Sequence, residues 1–533
     1  MRISTSQYFE TSATGYSQNF SDTAKTQAQI SSGNRIQSAG DDPVGAAKLL
    51  QLQQQSSLLT QYSGNMTSVT NSLTQEESVL DSITTALQRA QELTIQAGNG
   101  GLSDADRTSI ASEIGEIEKN VLGLLNTKDS NGQYMFSGSK TGTPPYVQNS
   151  DGSYTYQGDQ TQLSLQVSDT LQLATNDTGY SILETAVNTS RTQTTMTAPV
   201  DANGAVVDDG LVTVSDGRLE SLTTYNKAFT DGQPYKLTFT SSTQFTLTNS
   251  SGKDVTSQVS GNGTFDPKAD GGTTVSLYGV EFDIDVATKQ SELGTVTDAD
   301  IAGRTFSLGS KPDSISSTRN AANTSTAQLV SANVTDTQGY AAGFPAGGAV
   351  IKFTSSSEYE VYAQPVTDSS RAIGKGAVVA GANGSTITAA GVTFKLSGEA
   401  GAGDSFSVNA NSHKTQNVLD TLHQLKTALE IPVTDAKSAL ALKNATDSAL
   451  GNLASANENI DISRGQIGAR LNSLAIQNDE NVSLALANKG TQSAIADTDF
   501  ATASVTLSLQ QTMLQASQLA FAKISQLSLF NKL

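Results

Sequence analysis

Apolar and small residues recur near the beginning of the chain at alternating steps of three and four positions. One stripe comprises Met66, Val69, Leu73, Leu80, Ile83 and Leu87, and the next comprises Ile110, Ile114, Ile117 and Val121. A mean step of about 3.5 residues is typical of helices that pack in coiled coils. Asp42 before Pro43 predicts the start of the first long helix. Gly98 begins the loop that ends this helix, and Ser103 predicts the N-cap of the next one.

The same spacing returns near the end of the chain. A third stripe comprises Leu453, Ile460, Ile467, Leu471 and Leu474, and a fourth places Phe500, Leu507, Leu514 and Phe521 seven positions apart. Stripes this narrow are buried only against partner helices. We therefore expect the N- and C-terminal segments to form one long antiparallel coiled-coil bundle. The alternative is a pair of unrelated helical domains that flank a β domain.

Between the helical ends, apolar and polar residues alternate as they do in β-strands. The alternation predicts strands at QYMFSG, SYTYQ and QLSLQVSD, within residues 129–191. Residues 192–411 contain an internal repeat, in which FTSSTQFTL from Phe239 matches FTSSSEYEV from Phe353, GVEFDI from Gly279 matches GVTFKL from Gly391, and GRTFSL from Gly303 matches GDSFSV from Gly403. The repeat predicts two related β modules in tandem, in an α+β chain with a large all-β insertion.

These patterns divide the chain into seven predicted segments. They are an N-terminal assembly segment (1–41), N-terminal helices (42–128), a β-hairpin region (129–191), the first β module (192–335), the second β module (336–411), C-terminal helices (412–494) and a C-terminal assembly helix (495–533).

Composition argues against several classes of function. The chain has 51 acidic against 32 basic residues and a formal net charge of -19, which disfavours nucleic acid as a partner. No apolar run is long enough to cross a bilayer or to form a signal peptide, so we expect neither membrane insertion nor a cleaved leader. The absence of Cys excludes disulfides and thiolate chemistry.

No sequence motif predicts a catalytic, metal or cofactor site. His413 and His423 do not have the spacing of a zinc site, and we interpret both as ordinary polar positions on a helix. The SxxK and KTG matches near Ser137 share the same Lys140, whereas that chemistry requires two lysines. DSNG from Asp129 and DANG from Asp201 are interpreted as Asx turns, because neither continues as a calcium loop. We therefore expect a non-catalytic protein without cofactors.

Two terminal stretches resemble the bacterial flagellin family. QISSGNRIQSAGDDPVGAA, at residues 29–47, closely resembles its N-terminal signature, and Ile495–Leu533 resembles its closing helix. The signature residues are Ser31, Ser32, Gly33, Arg35, Ile36, Asp41 and Asp42. The beginning MRISTSQYF, the segment GQYMFSGSKTGTPPY and the ending FAKISQLSLFNKL are similar to the branch of the family found at the junction between hook and filament.

The resemblance implies a structural flagellar subunit that is exported through the type III channel without cleavage. It further implies a ring of copies between hook and filament, with helical termini inside and the β insertion outside. The implied partners are the other hook-filament junction protein, flagellin, further copies of this chain and a cytoplasmic export chaperone that binds the C-terminal helix. A flagellin-like filament subunit and a secreted adhesin that binds through residues 192–411 are the alternatives.

Overall fold

A computed structural model describes residues 5–149, 152–269, 271–286, 297–320, 322–345, 347–367, 369–381 and 384–530. Residues 1–4 and 531–533 of the two predicted assembly segments lie outside these ranges. The α-helices are α1 (Thr5–Ser32), α2 (Pro43–Ala97), α3 (Asp104–Leu125), α4 (Leu222–Thr224), α5 (Thr230–Gly232), α6 (Asp298–Ile301), α7 (Thr337–Gly343), α8 (Val418–Glu430), α9 (Ala436–Ala496) and α10 (Phe500–Phe530), and short π- or 3-10 helices span Tyr180–Glu184, Tyr225–Phe229, Thr256–Gln258 and Ser260–Gly263.

The strands are β1 (Tyr146–Gln148), β2 (Tyr154–Tyr156), β3 (Ser164–Gln166), β4 (Gln172–Ala174), β5 (Thr192–Ala198), β6 (Val212–Val214), β7 (Arg218–Leu219), β8 (Tyr235–Phe239), β9 (Phe245–Thr248), β10 (Thr273–Leu277), β11 (Val280–Val286), β12 (Thr305–Ser310), β13 (Ser314–Arg319), β14 (Gln328–Val334), β15 (Ala349–Phe353), β16 (Glu358–Ala363), β17 (Gly374–Ala377), β18 (Ser385–Ala389), β19 (Val392–Ser397) and β20 (Ser405–Asn411). The chain is therefore α+β, with helical N- and C-terminal segments and a β-rich middle.

The predicted helix boundaries are confirmed by local capping. The Asp42 carboxylate accepts a hydrogen bond of 2.9 Å from the Gly45 amide at the start of α2. At the start of α3, Ser103 and Asp106 form a reciprocal capping box. Each cap satisfies an amide that has no partner within the helix, which explains why the sequence located these ends correctly.

The prediction of a strand at QYMFSG was wrong. Residues 131–140 form turns, with a single antiparallel bridge between Lys128 and Tyr134. The carbonyl of Phe136 accepts hydrogen bonds from the Tyr156 hydroxyl and the Gly179 amide, at 2.9 and 2.8 Å. The Met135 carbonyl accepts one from the side chain of Asn176. These distant partners replace the hydrogen bonds that a neighbouring strand would supply.

Strands β5 to β20 form two groups, which we call the first β region (Thr192–Ser310) and the second β region (Ser314–Asn411). The first has sheets in the order β5-β12-β8-β9 and β6-β11-β10, and the second has β13-β20-β15-β16-β17 and β14-β19-β18. The predicted boundary at residue 335 was wrong. Strands β13 and β14 pair with β20 and β19, so both belong to the second region.

Each β region has its own apolar core. The core of the first region contains Phe239 and Phe306, whose rings meet edge-on at 6.0 Å. In the second region, Phe353 and Phe406 meet edge-on at 5.9 Å. Edge-on aromatic pairs add to the stabilisation from buried apolar area.

The insertion begins and ends at one point, which we call the neck. Val187 and Thr415 form an antiparallel bridge there, and the Asn188 amide donates to the Lys414 carbonyl at 3.2 Å. Entry and exit of the insertion are thus joined by backbone hydrogen bonds.

The chain divides into two compact units. The first comprises Met1–Thr74, Leu163–Thr175 and Gln466–Leu533, and the second comprises Gln75–Gln162 and Asn176–Gly465. The division falls inside α2 and α9, away from the predicted segment boundaries at residues 41 and 494, which stay predictions.

Candidate assembly surface

Helices α1 and α10 pack antiparallel in the first unit. The Phe521 ring lies 5.1 Å from that of Phe9 and 6.2 Å from that of Tyr16. Further along the pair, the side-chain amide of Asn19 donates to the Ser517 hydroxyl at 2.7 Å. Residue numbers rise along one helix as they fall along the other, so these contacts fix an antiparallel register.

The turn after α1 is bonded to the turn before α10. The Arg35 amide donates to the Ala496 carbonyl at 2.6 Å, and the Thr498 amide donates to the Gly33 carbonyl at 2.8 Å. Gly33 has φ of +73°, which a residue with a Cβ adopts at a cost of about 1 kcal/mol or more. Backbone hydrogen bonds therefore join the family-like signature to the C-terminal segment.

Two acidic residues of the signature organise the same turn. Asp41 accepts from the amides of residues 37 and 38 and pairs with Lys25 at 2.7 Å. The Lys25 ammonium, followed by these amides, holds the pKa of Asp41 well below its usual range. The Gly45 amide, with a smaller contribution from Arg35, lowers the pKa of Asp42. Both carboxylates are therefore charged at neutral pH.

The other signature residues occupy simpler positions. Ser31 and Ser32 are exposed at the end of α1, where the Ser32 hydroxyl accepts from the Asn34 amide at 3.2 Å, and Ile36 is half-buried.

Most residues of the predicted stripes are buried. The buried members are Met66, Val69, Leu73, Leu80, Ile83, Leu87, Ile110, Ile114, Val121, Leu453, Ile460, Ile467 and Leu474. The half-buried members are Ile117, Leu471, Leu507, Leu514 and Phe521. Phe500 is 56% exposed. The fourth stripe, on α10, is therefore the least covered in this single chain.

Two polar residues that the sequence reasoning missed lie between α2 and α9 in the first unit. Asn481 donates to the Leu59 carbonyl at 2.9 Å, and Asn488 donates to the Leu52 carbonyl at 3.0 Å. Both follow Leu474 at intervals of seven residues. This heptad spacing, continued across a change from apolar to polar residues, could have revealed them.

Arg464 was missed for a different reason. In the second unit its guanidinium pairs with Glu77 at 2.9 Å and Asp81 at 3.0 Å. The contact joins α9 to α2, but a charged residue beside an apolar stripe gives no indication of its partner in the sequence.

Large apolar side chains remain exposed on the helices of the first unit. They are Tyr8, Phe20, Val44, Leu50, Leu58, Ile476, Val482, Leu484, Leu486, Phe500, Val505, Leu509, Met513 and Leu519. Large apolar side chains left exposed in this number are candidates for burial against partner subunits. We call this set the candidate assembly surface.

A group of titratable side chains lies inside the second unit. The buried Glu118 carboxylate accepts from the Tyr154 hydroxyl at 2.7 Å and lies 3.2 Å from Nδ1 of His423. Burial is the main reason that the pKa of Glu184 rises to about 7; the nearby Tyr146 hydroxyl opposes the rise, and the charge of Asp420 adds a smaller contribution to it. These groups connect the β1–β2 hairpin to α3 and α8.

The remaining chemical candidates have structural contacts. Lys140 donates to two backbone carbonyls at 3.3 Å. Asp129 and Asp201 accept from amides two residues on, which confirms the Asx turns. His423 lies on α8, but His413 has φ of +53° and lies outside a helix, which corrects the prediction for that residue.

Within the described ranges, no group of three or more His, Asp or Glu side chains is arranged to hold a metal ion. None of the helices described is long and apolar enough to cross a membrane.

Comparison with known proteins identifies the family. Residues 3–141 match the model of the bacterial flagellin N-terminal helical region. Flagellar hook-associated protein 3 of Salmonella typhimurium is 36% identical over 182 residues, which cover 34% of this chain and 56% of that protein. The match thus spans little more than half the length of the Salmonella relative.

Two further comparisons give longer matches. The crystal structure of flagellar hook-associated protein 3 from Legionella pneumophila covers 83% of this chain and 98% of its own at 22% identity, with a TM-score of 0.45. The Escherichia coli protein of the same name is 32% identical over 224 residues, which cover 42% of this chain and 67% of that protein. On the length and identity of the E. coli match, the chain belongs to the family of flagellar hook-associated protein 3.

Proposed function

We propose that the protein is a structural adaptor that joins the flagellar hook to the flagellin filament, and that it has no enzymatic activity. The observation that carries the proposal is the candidate assembly surface, on terminal helices that belong to this family. Removing apolar area from water stabilises an assembly by about 25 cal/mol for each Å². Covering these side chains with neighbouring subunits therefore supplies a driving force for insertion.

The proposed partners follow from a position between the subunits of the hook and those of the filament. They are the other hook-filament junction protein, flagellin and further copies of this chain in a ring. A cytoplasmic chaperone that covers the C-terminal helix before export is also proposed, because exposed apolar side chains of α10 would otherwise promote early association. The site of action is the extracellular junction between hook and filament.

We further propose that the terminal helices form one antiparallel coiled-coil bundle. Support comes from the contacts of α2 with α9 and of α1 with α10, in which the residue numbers run in opposite directions. The buried asparagines would fix the register of the bundle, as single polar residues do in coiled coils.

The two β regions are proposed to be copies of one module. Their sheet orders match when β13, β20, β15 and β16 replace β5, β12, β8 and β9. The β10–β11 and β18–β19 hairpins both turn through two residues of positive φ, Tyr278 with Gly279 and Ala390 with Gly391. Such paired positive φ values are characteristic of type I′ turns.

Replacing Leu514 and Phe521 together by Asp tests the adaptor role. Phe521 contacts Phe9 and Tyr16, so the change places charge in the α1–α10 interface. An unpaired charge desolvated there costs several kcal/mol. We expect cells with hooks, without filaments and with monomeric flagellin in the medium, visible by electron microscopy and immunoblot.

The matched control replaces both residues by Met, which keeps the side chains apolar and similar in volume. Control cells should carry normal filaments. Normal filaments on the double-Asp strain would contradict the proposed interface. Purified wild-type protein that polymerises alone into long filaments would instead favour a flagellin-like filament subunit.

A further inference from the structure

The first β region packs one sheet face against a helix of its own chain. Asp283 of β11 pairs with Lys443 of α9 at 2.8 Å, and the Asp216 amide donates to the Asn444 side chain at 3.1 Å. The face of β6, β11 and β10 is thus a polar docking surface with an acidic centre.

The equivalent face of the second β region carries the opposite charge. The sequence repeat aligns Asp283 with Lys395 of β19, and no ion pair to Lys395 occurs among the described residues. Across the strands, Lys395 lies in one row with Ser331, Thr386 and Val379.

Exposed apolar side chains flank this lysine. Val330 is 54% exposed at the β-bulge of β14, and Val379 is 63% exposed at the other end of the row. A half-buried cation between exposed valines has the composition of an interface rather than of an ordinary solvent-facing strand surface.

A complementary surface lies beside α9. A groove of about 600 Å³ is lined by Leu222, Leu450, Glu458 and Ile462, among others. Ile462 is 54% exposed, and Glu458 is exposed on the same helix. Arg218 also lines the groove, but its charge is offset by an ion pair with Glu220 at 2.9 Å. The groove therefore offers the Glu458 carboxylate and apolar side chains, which match the lysine and valines of the second β region.

We propose that the Lys395 face of the second β region docks into the Glu458 groove of a second copy of this chain. The two surfaces differ, so the contact is heterologous, and repeated contacts of this kind close into a ring when the rotation permits. The proposal rests on the adaptor function and adds a contact in which the β insertion of one subunit meets helix α9 of its neighbour.

Because the natural chain has no Cys, introduced thiols report on single contacts. Two single-site variants, Val379→Cys and Ile462→Cys, are produced in the same cells, and isolated flagella are treated with a short bismaleimide. We expect a crosslinked dimer that requires both variants. Lys352→Cys, exposed on β15 of the other sheet, replaces Val379→Cys as the matched control and should give no dimer.

Charge reversal tests the ion pair. Lys395→Glu alone and Glu458→Lys alone should each abolish most of the dimer, and the two changes combined should restore it. Lys352→Glu should leave the yield unchanged. Absence of the dimer from flagella in which both thiol variants are present, or failure of the combined reversal to restore it, would overturn the docking proposal.

The adaptor function has a separate readout. Normal filaments on hooks that contain the variants would leave the junction role intact even without a dimer. A protein that is missing from the hook-filament junction would contradict the adaptor proposal itself.

Discussion

Replacing Glu184 by Gln should stabilise the second unit at neutral and alkaline pH. One carboxylate oxygen of Glu184 is buried without a hydrogen-bond partner among the described residues, and the side chain lies near Asp420 and Tyr146. Burial is the main reason that its pKa rises from 4.5 to about 7. Ionisation is therefore harder in the folded than in the unfolded chain.

The sign and size of the effect follow from linkage. When a carboxyl has a higher pKa in the folded than in the unfolded chain, the unfolding free energy of the protein falls as the pH rises from about 4.5 to about 7. The loss is complete above the pKa of the folded state. At about 1.4 kcal/mol for each pH unit between the two values, the loss is roughly 3.5 kcal/mol. Gln keeps the shape and hydrogen-bonding capacity but does not ionise.

The assay is urea unfolding followed by helical circular dichroism at pH 5 and pH 8. Between these values the wild-type protein should lose about 2.5 kcal/mol more unfolding free energy than Glu184→Gln. Glu116→Gln, which removes an exposed carboxylate on α3, is the matched control and should follow the wild type. If the unfolding free energies of wild type and Glu184→Gln changed with pH in parallel, the argument that burial raises the pKa of Glu184 would be refuted.

Three further predictions concern the helices. Ser103→Ala should lower the unfolding free energy by about 1 kcal/mol, measured by urea unfolding, because it removes the N-cap of α3; Ser109→Ala, in mid-helix, is the control. Asn481→Leu should raise the unfolding free energy by roughly 1 kcal/mol, since the side-chain amide oxygen of Asn481 is buried without a partner among the described residues. An unchanged or lower melting temperature of this variant would contradict the prediction. Limited proteolysis of the monomer should remove residues before about 42 and after about 495 first, because their apolar faces are not yet covered by neighbouring subunits. Mass spectrometry of the fragments gives the order of cleavage. Tails that resist the protease as long as the β regions do would contradict the prediction.

The helices were predictable because their determinants are local. The cap at Ser103 lies within one turn of α3, and the heptad stripe through Leu453 repeats along one element. Neither depends on a distant residue. The α+β class follows from the same local patterns.

The errors arose where distant residues decide the conformation. The Phe136 carbonyl is bonded to Tyr156 and Gly179, so the QYMFSG alternation never acquires a strand partner. Strand β13 reads SISSTR, which shares little with TQTTMTA of β5, and its assignment requires the pairing with β20. The proton affinity of Glu184 depends on burial that no local motif encodes.

The neck has a consequence for how this family can vary. Arg191 and Lys414 contact each other although they are 223 positions apart in the sequence. The two ends of the insertion therefore lie side by side where they join the helical part of the chain, as the two ends of a short loop would. Lengthening an unstructured loop adds only about 0.6 kcal/mol of closure entropy per doubling, and a folded insertion with adjacent ends adds still less. An entire β region can therefore be gained, lost or duplicated without changing the geometry that the terminal helices require. Subunit size is free to change during evolution while the assembly register stays fixed.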